Sequence, residues 1–120
     1  MTQIEVKSFE KPDETRQFKE KGKVELLELG ARTAFRAEFE PGWRWTVNVR
    51  PVVGTDLCET AHFGFVASGR LRITMADGEQ RDIGPGEVYL VEPGHDAEVL
   101  GNETCVAYDF GEVADYAKPN

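Results

Sequence analysis

A chain of 120 residues, 40% hydrophobic and 30% charged, has the size and make-up of one globular domain with a single core. Its net charge of −8, with no cluster of Lys and Arg, argues against nucleic acid and anionic membrane as partners; even the most basic stretch, "RQFKEKGK", is broken by glutamate. No run approaches the roughly 20 apolar residues that span a bilayer, and the N-terminus lacks the charged-then-apolar plan of a leader, so a cytoplasmic protein is expected.

Residues 1–22 are polar and punctuated, and read as an arm laid on the domain. Within them "KPDETRQFKEKG" offers one helical turn, with Asp13 as N-cap and Gly22 as stop. From Lys23 the pattern changes to period two. Phe35, Ala37 and Phe39 alternate with Arg36 and Glu38, and Pro41–Gly42 marks a turn. "WRWTVNV" alternates again, which predicts a strand with Trp43, Trp45, Val47 and Val49 on one face and Asn48 on the other. The stretch from His62 to Ala67 is apolar on both faces, as in a sheet covered on both sides.

"SGR" makes the next turn, and Asp77–Gly78 between two alternating runs is a hairpin signal. "VYLV", "HDAEVL" and "TCVAYDF" complete a series of short strands broken by "GPGE", "EPG" and "GNE". Turns recur about every 8 to 12 residues, and no long helical period follows residue 22. The fold class is therefore all-β, a jelly-roll barrel of short antiparallel strands over residues 23–111, with a C-terminal tail at 112–120.

Phosphate-gripping glycine loops and CxxC pairs are absent. Both cysteines should be free thiols in a reducing compartment, with Cys105 a small core hydrophobe.

The spacing of the turns and two glycine-marked segments resemble the cupin superfamily. In "DLCETAHFGFVASG", Gly69 is the anchor of the first cupin motif, His62 falls in the place of its acid, and Asp56 and Cys58 fall in the places of its two histidines. In "GPGEVYLVEPGHDA", Gly86 and Gly94 fit the second motif. Glu92 takes the place of its proline, Ala97 stands where its histidine belongs, and His95 lies two residues earlier. The resemblance implies a cupin-like barrel, a homodimer, and convergence of the two motifs on one site.

The residues at those places suit a metal. Imidazole, thiolate and carboxylate all bind Zn²⁺, and imidazole and carboxylate also suit iron, nickel or manganese. The candidate ligands are His62, His95, Cys58 and Asp56. Along an unbroken strand Cys58 and His62 would lie roughly 13 Å apart, so sharing an ion requires a bend at "ETA". Asn48, Tyr89 and Trp45 are further pocket candidates.

The function expected is a small-molecule site in the barrel, with a divalent metal, zinc first, as the cofactor. The alternative is a metal-free ligand-binding or sensor barrel. No catalytic residue and no reaction follow from the sequence.

Overall fold

The structure, a computed structural model, describes residues 3–119. The first two residues of the arm and the last of the tail lie outside that range. Nine strands and two short helices are present among the described residues: β1 (Glu14–Gln17), β2 (Gly22–Leu29), β3 (Arg32–Phe39), α1 (Trp45–Asn48), α2 (Arg50–Val53), β4 (His62–Ser68), β5 (Arg70–Met75), β6 (Gln80–Ile83), β7 (Val88–Val91), β8 (His95–Leu100) and β9 (Cys105–Asp109).

All ladders are antiparallel and form two sheets. One has six strands in the order β1-β2-β3-β9-β4-β7, the other three in the order β6-β5-β8. The sheets face each other as a jelly roll. Hydrogen bonding does not close them into a continuous barrel, because β6 and β7 are both free edges.

The period-two runs explain the core. Val24 and Leu26 of β2, Phe35, Ala37 and Phe39 of β3, and Cys105 and Ala107 of β9 point inward, where they meet Leu71, Ile73 and Val99 of the smaller sheet. Each fully buried Val, Leu or Phe side chain contributes about 1.5–3 kcal/mol. The chain passes from the larger to the smaller sheet at Gly69. Its φ is +74°, and a Cβ there would meet the Cys105 Cα at 2.6 Å, so only glycine fits this corner.

Three sequence expectations are corrected. The "WRWTVNV" alternation is not a strand. Asn48 N–H donates to Arg44 O at 2.8 Å and Val49 N–H to Trp45 O at 2.9 Å, which makes α1. A helical turn puts Trp45, Asn48 and Val49 on one buried face, while Val47, which a strand would have placed beside them, is 58% exposed. The turn is anchored on β8, where Val99 N–H reaches Trp43 O and Asp96 accepts from the Thr46 N–H and hydroxyl.

The expected helical turn in the arm is also a strand. β1 pairs with β2 from Glu14↔Leu26 to Gln17↔Lys23. Arg16 and Phe18 alternate inward, and Arg16 donates to Tyr116 O at 2.7 Å. Asp13 caps no helix; it accepts from Glu28 N–H and from the Lys7 ammonium, both at 2.8 Å.

Finally, β4 is covered on one side only. Phe63 and Phe65 face outward and lie opposite Leu90 and Val88 of β7, all four exposed. The two tryptophans, by contrast, are buried in the core.

Candidate metal centre

His62 opens β4 in the larger sheet and His95 opens β8 in the smaller one, so each ring enters the space between the sheets. Their centroids are 5.2 Å apart. Cys58 joins them from the segment before β4. That segment is not a continuous strand with β4; Cys58 instead forms an isolated antiparallel bridge with His95. Cys58 N–H donates to His95 O at 2.8 Å, and Gly94 N–H donates to Cys58 O at 2.7 Å. Gly94, at φ +93°, supplies the left-handed turn that starts β8.

One ligand atom from each of Cys58, His62 and His95 lies within 4.8 Å of the others. Cys58 Sγ and His62 Nε2 are 3.6 Å apart. Zinc–sulfur and zinc–nitrogen bonds of the usual lengths put two tetrahedral ligands about 3.6 Å apart. The donor set and this spacing therefore fit a divalent ion.

Both rings are oriented for ligation through Nε2. His95 Nδ1 lies 2.8 Å from Glu92 O, which can only accept, so Nδ1 carries the proton. His62 Nδ1 donates to Asp109 Oδ2 at 3.0 Å. Asp109 is completely buried and is held by three further donors: the Tyr89 hydroxyl at 2.9 Å, Gly111 N–H at 3.0 Å and Phe63 N–H at 3.3 Å. A carboxylate behind a ligand histidine fixes its tautomer and makes it a better donor.

The electrostatics follow from these contacts. Burial disfavours charge on Cys58, but hydrogen bonds and charge from His62 and His95 outweigh it and bring the thiol down to about 6. Burial likewise disfavours the His62 imidazolium, yet Asp109 and Cys58 raise it to about 9. Without an ion, the pair is thiolate and imidazolium. Burial and the facing Asp109 push the Tyr89 phenol well above its usual value, so it stays a donor. Burial does the same to Tyr116, whose ring packs on His62.

No known family profile matches the sequence, and no curated protein does. Solved structures do. KdgF from Halomonas sp. superposes with a TM-score of 0.60 at 19% identity, covering 85% of this chain and 90% of that one. Oxalate decarboxylase from Bacillus subtilis gives 0.61 at 16% identity over 89% of this chain, which spans only 29% of the decarboxylase. A DUF1255 protein of unknown function from Acinetobacter sp. ADP1 gives 0.54 at 11% identity, with 76% and 81% covered. The fold is cupin-like.

Within that cupin-like frame, the displaced motif residue has a simple geometry. His95, Ala97 and Val99 alternate inward along β8, so a histidine two places before the motif position still faces the cavity. Asp56 sits in an exposed bend and is not one of the three clustered residues. Trp45 and Tyr89 line the cavity beside the cluster. Asn48 is buried but turned to its own helix, accepting from Arg44 N–H at 2.9 Å.

Sequence reasoning missed Asp109 and Tyr116. The signal for Asp109 was present: it shares the inward parity of Cys105 and Ala107, and an acid at an apolar position of a buried strand demands a partner. Tyr116 belongs to the tail, whose placement under the core no local pattern announces.

Proposed function

We propose that the chain holds a divalent metal ion on Cys58, His62 and His95 and presents it to a small molecule between the sheets. The carrying observation is that Asp109 and the Glu92 carbonyl fix both Nδ1 protons, leaving both Nε2 atoms to face one thiolate. A thiolate with two imidazoles suits zinc first, with iron, nickel or manganese as further candidates. Three protein ligands leave a position for water or substrate, and a cavity of about 40 Å³ lies against all three.

When bound, such an ion polarises a carbonyl or activates a water. The chain's own part is to hold His62 and His95 as neutral donors, keep Cys58 ionised, and exclude bulk water with Phe35, Trp43, Trp45 and Tyr116. Cobalt substitution tests this reading. Ligation by Cys58 gives a thiolate-to-cobalt charge-transfer band that Cys58→Ser removes; a cobalt spectrum unchanged by that substitution contradicts it.

The second reading is a metal-free binding or sensor barrel. In its favour, the Cys58–His62 ion pair satisfies both side chains without an ion. We also place the contact of a homodimer on the outer face of β4 and β7, where Phe63, Phe65, Val88 and Leu90 form exposed cross-strand pairs. Sedimentation of Leu90→Glu beside the wild type tests it: a shift from dimer to monomer is expected, and an unchanged dimer contradicts it.

A further inference from the structure

The gap between the edge strands β6 and β7 is a cleft. Arg81, Asp82 and Ile83 on β6 face Val88, Tyr89 and Val91 on β7 across a space of about 330 Å³, within the range of small-molecule pockets. Ile73, Ile83, Tyr89 and Val91 line both this cleft and the 40 Å³ cavity at the cluster. They form a wall with the cleft on one side and Cys58, His62 and His95 on the other. The inner space takes only a few waters or the reacting end of a molecule; the bulk of a ligand has room only outside the wall.

The charges along this route select what can use it. Among the described residues no Lys or Arg lines the inner cavity, whose walls are aromatic and aliphatic apart from the cluster. The walls therefore supply no Lys or Arg charge to pair with a ligand's. A buried carboxylate or phosphate would add an uncompensated negative charge, which is costly in a low-dielectric site. In the cleft, Asp82 is paired with Arg72, which leaves Glu79, Glu87 and Glu92 against Arg81, the one cation among the described lining residues. The indole N–H groups of Trp43 and Trp45 are buried without an acceptor, and both side chains line the cavity. That favours a ligand bearing an acceptor oxygen.

We propose that the substrate is an uncharged, largely apolar small molecule with a carbonyl, ether or hydroxyl oxygen, admitted between β6 and β7 past Tyr89. This rests on the site assignment above and adds the substrate class to it. Oxalate decarboxylase acts, by its name, on oxalate; this chain matches part of its length but places no Lys or Arg at the cavity to meet such an anion.

The test compares benzamide with benzoate, equal in shape and different in charge. Binding is followed by the fluorescence of Trp43 and Trp45, the chain's two tryptophans, in zinc-loaded and metal-free protein, with zinc content measured on the same samples. Benzamide is expected to bind at least about tenfold more tightly than benzoate in both forms. Ile83→Phe, which narrows the wall, is expected to weaken benzamide about tenfold at unchanged zinc content. Arg32→Glu, an exposed change on β3 that lines neither the cleft nor the cavity, is expected to leave benzamide affinity within about twofold. Benzoate binding as tightly as benzamide, or neither probe binding, overturns the proposal. Absence of zinc from the loaded sample instead fails the metal assignment, and the benzamide preference of the metal-free protein then decides the substrate class by itself.

Discussion

Cys58 and Cys105 are both free and both buried, yet their surroundings give them opposite chemistry. Cys105 lies in β9 opposite Phe39, under the Gly69 corner, and burial with the charge of Glu103 pushes its thiol up to about 12. Cys58 is subject to the same burial penalty but faces two imidazoles, and its thiol falls to about 6. Burial alone makes a cysteine an inert core residue. Nearby hydrogen-bond donors that can carry positive charge make it a ligand or nucleophile.

The sharpest way to break this contrast is to delete each thiol. Cys58→Ala is expected to reduce bound metal from near one ion per chain to background by elemental analysis. Cys105→Ala should keep the metal and lower stability by about 1 kcal/mol in urea denaturation, the cost of a small core deletion. Loss of metal in both variants would mean that the site depends on general packing rather than on Cys58.

Asp109→Asn asks whether the carboxylate behind His62 matters. Metal affinity in a chelator competition should fall about 10- to 100-fold, as expected when a ligand histidine loses its orienting acid. Tyr89→Phe removes one of four donors to that carboxylate, a hydrogen bond worth about 1 kcal/mol, and should cost a few-fold at most. An equal loss in the two variants would make the phenol, and not the acid, the orienting group.

The pH dependence of the metal-free protein sharpens the comparison further. A thiol lowered to about 6 stabilises the fold above its ordinary value and loses that contribution as pH falls through about 6. An imidazole raised to about 9 stabilises below its ordinary value and loses that contribution as pH rises through about 9. Thiolate and imidazolium coexist between about pH 6 and about pH 9. The Tm difference between wild type and Cys58→Ala should be largest at alkaline pH and shrink as pH falls through about 6. A difference that is flat across pH would show that Cys58 is neutral and unpaired.

The legible parts of the fold were those where period two and turn chemistry agreed. β9 and β3 from Phe35 alternate cleanly, and Gly69, Asp77–Gly78 and Gly94 mark real turns. "WRWTVNV" alternates just as well and is helical, because docking on β8 through Asp96 and Trp43 O decides a segment this short. β1 was hidden by its polarity: its inward residue is Arg16, whose guanidinium is held by Glu14 on the same strand and by the Tyr116 carbonyl 100 residues away. At the site, Cys58 and His62 were visible as residue types in motif places, and His95 two residues before one. Asp109 and Tyr116 were not, since they reach the cavity through long-range pairing and through the fold-back of the tail.

The most direct test of the central claim is the metal content of protein purified without an affinity tag, beside His62→Ala/His95→Ala, after exposure of both to zinc, iron, nickel and manganese. Near-stoichiometric metal in the wild type and background in the double variant is the expected result. No metal in either protein would contradict the account and leave the cavity as a metal-free binding site around a thiolate–imidazolium pair.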